Sequence, residues 1–187
     1  MSPVLRQQEV GAHVRKLRLE SRLSLRALAA RTDFSPSFIS QLENGRVSPS
    51  IHSMEKIATA LGASLSVFFA AIGAGEGGLV LRRKERGHLP SQWSKADVES
   101  LSRGSNRRLD PLLITLHPGG RSGKHPVAHR QEEFALILKG RAVLRLGPDE
   151  FQLAAGDSVT LVPGELRLWL NEGRKVTEIL IVRLQMA

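Results

Sequence analysis

The chain has no cysteine and no tyrosine, two tryptophans, and only 4% aromatic residues over 187 positions. Without thiols it has no disulfide, no thiolate metal site and no cysteine nucleophile. No apolar run approaches the ~18–20 residues needed to span a bilayer. The opening MSPVLRQQEV lacks the apolar stretch of a secretory signal. From these absences a cytoplasmic location and no membrane partner are expected. Acidic residues are also few: 18 Asp and Glu against 27 Lys and Arg give a formal charge of +9. On splitting at Ala74, both parts are basic. A polyanionic partner fits this balance, although charge alone does not separate DNA from RNA or an anionic surface. With 41% hydrophobic and 24% charged residues the composition is that of a globular protein. The length allows one or two domains.

The most informative stretch is Ser35–Gly45, SPSFISQLENG. Ser35 can cap the first free N–H groups, and Pro36 stands where its missing N–H costs nothing. Gly45 can take the left-handed conformation that closes a helix. Ile39 and Leu42 fall on the buried side, which leaves Ser37, Ser40 and Gln41 facing outward. An outward face of short hydrogen-bonding side chains, nearly free of charge, is what a helix reading the DNA major groove presents. Upstream, Leu28, Phe34, Ile39 and Leu42 form the apolar set of two crossing helices, with Ala29 small enough for close approach. Asp33 stands where the turn between them requires a left-handed residue. The pattern is a helix-turn-helix.

Residues 1–8 read as a loose tail. Val10, Val14 and Leu17 mark a first helix over Glu9–Glu20. Ser24 caps a helix to about Thr32, Ser50 caps another to about Leu61, and Ser64–Phe69 reads as a short fifth. Over residues 9–70 the chain resembles the XRE (Cro/C1-like) helix-turn-helix regulators, on LSLRALAARTDFSPSFISQLENGRVSPSIHSMEKIATALGASLSVFF. The resemblance implies an operator of double-stranded DNA contacted by Ser35, Ser37, Phe38, Ser40, Gln41, Asn44 and Arg46, the last two near backbone phosphates. It also implies a structural pair between Arg18 and Glu43. Leu25 departs from the Gln common at the start of helix 2 in phage members, so no contact is carried over to that position.

AAIGAGEGG then reads as a flexible linker. Beyond it the period changes to alternation, with strands at Leu79–Leu81, Leu112–Leu116, Phe134–Leu138, Ala142–Leu146, Ser158–Val162 and Thr177–Leu184. Lys139-Gly140-Arg141 between two of them reads as a tight hairpin. Short, closely spaced strands predict a β-sandwich or barrel. Residues 117–171 resemble the cupin family, whose first motif is G-x5-H-x-H-x3,4-E-x6-G. Glu133 and Gly140 have the required spacing, and His129 takes the second-histidine place. Gly156-Asp157 and Asn171 anchor the second motif.

The resemblance would imply a metal held by three histidines and a glutamate, but Val127 stands at the first-histidine place and Arg167 at the late one. A permanent cation repels a metal, so no metal or other cofactor is expected. A guanidinium at the mouth of an apolar barrel is instead a receptor for a carboxylate or phosphate. Equally, Arg167 can pair internally with Glu133. Alternation places Arg167 and Trp169 on one face, so the expected ligand set is His129, Glu133, Arg167 and Trp169. The basic cluster Arg82, Arg83, Lys84 and Arg86, with Arg103, Arg107 and Arg108, reads as an extension of the DNA footprint or, by preference, as a solvated surface.

The expectation is therefore two domains: an all-α five-helix helix-turn-helix domain over 1–70, a linker over 71–78, and an all-β cupin (double-stranded β-helix) barrel over 79–187. The expected function is a non-enzymatic, homodimeric transcriptional regulator, a repressor by preference, whose barrel senses a small effector or dimerises. Two alternatives remain open from sequence: a cupin metalloenzyme with an appended DNA-binding domain, and an antitoxin-like interaction module.

Overall fold

A computed structural model describes residues 3–63, 65, 68, 80–91, 94–102 and 109–184. The N-terminal part has four described helices: α1 (Pro3–Glu20), α2 (Leu25–Thr32), α3 (Pro36–Glu43) and α4 (Ile51–Ala60). Ser24, Ser35 and Ser50 each accept a hydrogen bond from a backbone N–H in the first turn of the helix they precede. Asp33 closes α2 at φ 55° in the left-handed region, and Gly45 follows α3 at φ 64°. Both are the turns expected from sequence. The expected loose tail is instead helical from Pro3 onward. Proline suits a first helical position, and Gln8 then packs on the backbone of Gly45. The expected fifth helix lies largely outside the described residues, although Leu65 and Phe68 are buried as predicted.

The C-terminal part is two antiparallel sheets. The larger has six strands in the order β1 (His88–Ser91), β2 (Ala96–Ser100), β3 (Leu109–Leu116), β10 (Thr177–Leu184), β5 (Glu133–Lys139), β8 (Ser158–Leu161). The smaller orders β4 (Val127–Ala128), β9 (Leu166–Leu170), β6 (Arg141–Leu146), β7 (Asp149–Ala154). Alternation builds the interior: Leu112, Ile114, Ile137, Ile179 and Ile181 from the larger sheet meet Ala142, Leu144 and Trp169 from the smaller.

Two strand expectations are corrected. Val80 and Leu81 lie outside any strand, and Leu79 is outside the described residues. Lys139-Gly140-Arg141 is not a hairpin, because β5 pairs with β10 and β8 while β6 pairs with β7 and β9. Gly140 is a corner where the chain crosses between sheets. Its φ is 79°, and a Cβ there would stand 2.6 Å from the Val176 carbonyl oxygen. The hairpin of this region lies one strand later, where Gly147-Pro148 joins β6 to β7. The expected linker over 71–78 falls outside the described residues.

Asn171, expected from the second motif, is a buried pin. Its side-chain amide donates to the carbonyls of Leu116 and Lys175, and its oxygen accepts from Gly173 N–H. Asp157 accepts from Ala154 N–H and stabilises the turn between β7 and β8.

The helix-turn-helix is seated on α1 by two contacts. Arg18 donates from Nε and Nη2 to both carboxylate oxygens of Glu43, at 2.6 and 2.9 Å, in a nearly buried fork. About two helical turns away, Gly11 lets the backbone of α1 touch α3. A Cβ there would lie 2.3 Å from the Leu42 carbonyl oxygen and 2.7 Å from that of Glu43. Neither helix can yield without losing the Arg18 fork, so Gly11→Ala is expected to destabilise the fold by about 1–3 kcal/mol. Chemical denaturation of both proteins measures it.

Candidate functional site

The first candidate surface is the outer side of α3. Ser37 and Gln41, one turn apart, are exposed, as is Arg46 beyond the helix end. Ser40 is half-buried, and its carbonyl accepts a hydrogen bond from the Asn44 side chain at 2.7 Å. The Ser35 hydroxyl accepts from Phe38 N–H at 3.1 Å as a helix cap. Phe38 is half-buried and stacks at a tilt on Phe34, with centroids 4.8 Å apart. Of the seven residues expected at DNA, Ser37, Gln41 and Arg46 thus project freely, while Phe38 leans against the turn. Glu43 faces α1. Among the basic cluster, Arg82, Arg83 and Lys84 are exposed and Arg86 pairs with Glu99 at 3.1 Å; Arg103, Arg107 and Arg108 lie outside the described residues.

The second candidate lies where α4 meets the open end of the two sheets. Glu133 on β5 is 1% exposed and sits between two guanidinia. Arg183 on β10 donates from Nε to its Oε1 at 2.5 Å, and Arg167 on β9 brings Nη2 to 2.9 Å from its Oε2. Arg183 has a second carboxylate, Glu55 of α4, 2.5 Å from its Nη2. His129 places Nδ1 3.5 Å from Glu133 and 3.7 Å from Glu55. His52, one turn before Glu55 on α4, sets its ring 6.5 Å from that of His129. Ile51, Ile114, Ile181 and Trp169 close the apolar walls around a cavity of about 20 Å³. That volume holds about one water.

The structure thus brings together all four expected barrel residues, His129, Glu133, Arg167 and Trp169. Arg167 pairs internally with Glu133, as one of its two expected readings has it. The pairing is imperfect. At 2% exposure, Arg167 Nε has no hydrogen-bond partner among the described residues, Nη2 is held only by its ion pair with Glu133, and Nη1 donates to the Val162 carbonyl at 3.4 Å. Sequence reasoning missed Arg183 and Glu55. Both left a signal. Arg183 continues the inward positions Ile179 and Ile181 of its strand, and Glu55 follows Ile51 by four residues on the buried face of α4.

The metal chemistry implied by the family pattern does not fit these residues. Both Glu133 oxygens face guanidinium nitrogens, Val127 offers no donor, and among the described residues no three His, Asp or Glu converge on one point. No step is derived through a metal.

Burial acts on each ionisable group of the cluster. It alone would push the Glu55 carboxyl up, but the Arg183 guanidinium, His129 and His52 together outweigh burial and hold Glu55 well below the ordinary carboxylate range. For Arg183, burial opposes the charge and the carboxylates of Glu55 and Glu133 prevail, raising its value. His129 is held below the ordinary imidazole value of 6.5, first by burial and then by Arg183 and Arg167, against the pull of Glu55 and Glu133.

Comparison with known proteins agrees with this architecture. Residues 9–67 match the family model for a helix-turn-helix domain, and residues 112–183 match that for a cupin domain. Among curated proteins the chain is similar to the HTH-type transcriptional regulator PuuR of Escherichia coli (strain K12), 27% identical over 172 residues covering 91% of each chain. Among solved structures it is similar in fold to an HTH_3 family transcriptional regulator from Vibrio cholerae, with TM-score 0.75 and 20% identity over the whole of both chains. It is also similar in fold to hydroxypropylphosphonic acid epoxidase from S. wedmorenis, with TM-score 0.50 and 20% identity over 95% of this chain and 98% of that one.

Two consequences for stability follow from the cluster. Replacing Glu133 by Leu leaves two buried guanidinia without their shared carboxylate and is expected to cost about 3–5 kcal/mol, read as a lowered urea midpoint. His129 binds its proton less readily when folded than when unfolded. Its contribution to stability is therefore complete above pH 6.5 and is lost as pH falls below that value. The urea midpoint should drop between about pH 7.5 and about pH 5.5, and less in His129→Gln. The remainder belongs to groups such as His13, which burial also lowers.

Proposed function

We propose that this chain, a helix-turn-helix protein with a C-terminal cupin domain, is a sequence-specific DNA-binding transcriptional regulator whose barrel responds to a small anionic effector. The observation that carries the reading is the outer side of α3. Ser37, Gln41 and Arg46 project from a helix whose inner side is fixed on α1 by the Arg18–Glu43 fork. A helix held that firmly, with hydrogen-bonding side chains turned away from the core, is suited to base edges and phosphates. The likeness to PuuR, a transcriptional regulator by name, supports the same reading. No helix is long and apolar enough to cross a membrane among the described residues, and we place the protein in the cytoplasm with chromosomal DNA. A repressor is the simplest form of such a regulator.

The barrel is read as a sensor and not as a catalytic centre. Its buried carboxylate is committed to two guanidinia, and among the described residues no metal-ligand set converges there. The donor-rich lining, with Arg167 incompletely bonded, favours an effector bearing a carboxylate or phosphate, and His129 and Trp169 would shape the rest of the pocket.

Reading one groove gives few base pairs, so specificity calls for two copies of α3 about 34 Å apart on a twofold axis. The larger sheet offers a face for this pairing. On its outer side Phe134 stands beside Val182, and Leu136 beside Leu180, with Phe134 43% exposed. An apolar sheet face of this kind suits a second copy of the same chain.

Gln41→Ala is expected to reduce specific binding by about 1–3 kcal/mol through a lost base contact. Arg46→Ala should weaken all sequences alike and flatten the salt dependence. A mobility-shift series with operator and scrambled DNA distinguishes the two. Unchanged discrimination in Gln41→Ala would refute the assigned groove face. Phe134→Glu should convert the protein to a monomer in sedimentation and lower its operator affinity in parallel.

A further inference from the structure

The charged cluster in the barrel mouth contains one member that does not belong to the barrel. Glu133, Arg167, Arg183 and His129 come from the sheets and their loops, whereas Glu55 comes from α4 of the helix-turn-helix domain. We propose that Glu55 is a built-in stand-in for the carboxylate of the effector, and that a small carboxylate ligand takes its place on Arg183 and thereby releases α4 from the barrel.

Four observations carry this. First, the contact is a buried carboxylate–guanidinium pair at 2.5 Å between two domains, so removing Glu55 without replacement would leave a desolvated cation short of a partner. Arg183 also feels Glu133 and Asp110, but those are fixed on the same sheet and stay with it. Exchange of one carboxylate for another leaves the charge of the site unchanged. Second, the pocket as it stands has room for about one water, at about 20 Å³. Glu55, His52 and Ile51 of α4 form part of its wall, so a ligand enters only as α4 withdraws. Third, Arg167 Nε has no hydrogen-bond partner among the described residues and Nη2 is held only by its ion pair with Glu133, so this guanidinium can take a further ligand oxygen at the same cavity. Fourth, a cleft of about 520 Å³ between the domains leads to Glu55 and His129, and Arg31, Lys56 and Arg130 line it. Its cationic lining draws anions toward the pair.

The same helix reaches the recognition helix. Lys56, next to Glu55, contacts Asp33 in the helix-turn-helix turn at 3.3 Å and lies over the Phe34 ring at 5.7 Å, and Phe34 stacks on Phe38 of α3. While Glu55 is engaged, α4 holds the DNA-binding domain in one orientation on the barrel. Once it is displaced, the spacing of the two α3 helices in a dimer is no longer fixed, and operator affinity falls. This step rests on the effector reading above.

Propionate reproduces the Glu55 side chain beyond Cα and serves as the probe, with neutral propionamide as its control. In full-length Glu55→Ala, propionate at tens of millimolar should raise Tm by about 3 °C, and propionamide at matched ionic strength should leave it unchanged. Wild type, whose site is filled, should gain much less. Glu55→Gln, which keeps the volume and removes the charge, should respond more than wild type and guards against misfolding of the smaller variant. Both variants should bind operator DNA about tenfold more weakly than wild type. Equal responses to propionate and propionamide would overturn the exchange, whatever the protein does on DNA, and would leave the effector reading standing. Selective propionate binding with unchanged operator affinity would overturn the link between barrel and DNA, and the effector reading with it.

Discussion

The carboxylate of Glu133 lies between Arg167 and Arg183, and the rest of the molecule's interior is arranged to tolerate that. Three charged groups at 1–7% exposure are stable only because each finds opposite charge within hydrogen-bonding reach. The constraint is strict: β5, β9 and β10 must present these side chains at one level, from two different sheets. Gly140 makes this feasible by carrying the chain from β5 in one sheet to β6 in the other through a single corner. Asn171 then fixes the end of β9 to β3 and to the loop ahead of β10. The anionic partner that Arg183 needs in addition comes from outside the barrel, which is why the two domains meet at this point.

The cupin pattern that this region resembles implies a metal held by three histidines and a glutamate. In the present chain the ligand positions carry Val127 and Arg167. One substitution removes a donor, and the other supplies a cation of its own. The electrostatic role of a metal, holding a carboxylate in an apolar barrel, is taken over by guanidinia.

Much of this was legible in the residues. Caps at Ser24, Ser35 and Ser50 and the left-handed Asp33 follow from local spacing, because helix termini and i,i+3 patterns are short-range properties, whereas the Arg18–Glu43 fork, 25 residues apart, was expected only from the family resemblance. The alternation of β3, β5, β6, β8 and β10 was equally plain. The weak or polar strands β1, β2 and β7 were not, since their pairing depends on neighbours distant in sequence. The error at Gly140 has the same origin. A glycine between two strands looks like a hairpin unless one knows which partners the strands have. His129, Glu133, Arg167 and Trp169 were found because they belong to one motif region, whereas Glu55 and Arg183 join the cluster from 74 residues upstream of His129 or from the final strand, and only the fold brings them in. Gly11 was missed because glycine in a helix carries no signal of the backbone it touches.

That close approach at Gly11 has an evolutionary consequence. Backbone contact and the Arg18 fork define where α3 sits without involving any of its outward side chains. On the proposed DNA-binding role, positions 37 and 41 can therefore drift, and with them the DNA sequence preferred, while the scaffold stays intact. Paralogues could diversify their targets by a few substitutions on one helix face and inherit the rest of the machinery unaltered. Phe38 is the exception on that helix: packed on Phe34, it ties the outward surface to the turn, so a change there calls for an adjustment of the turn as well.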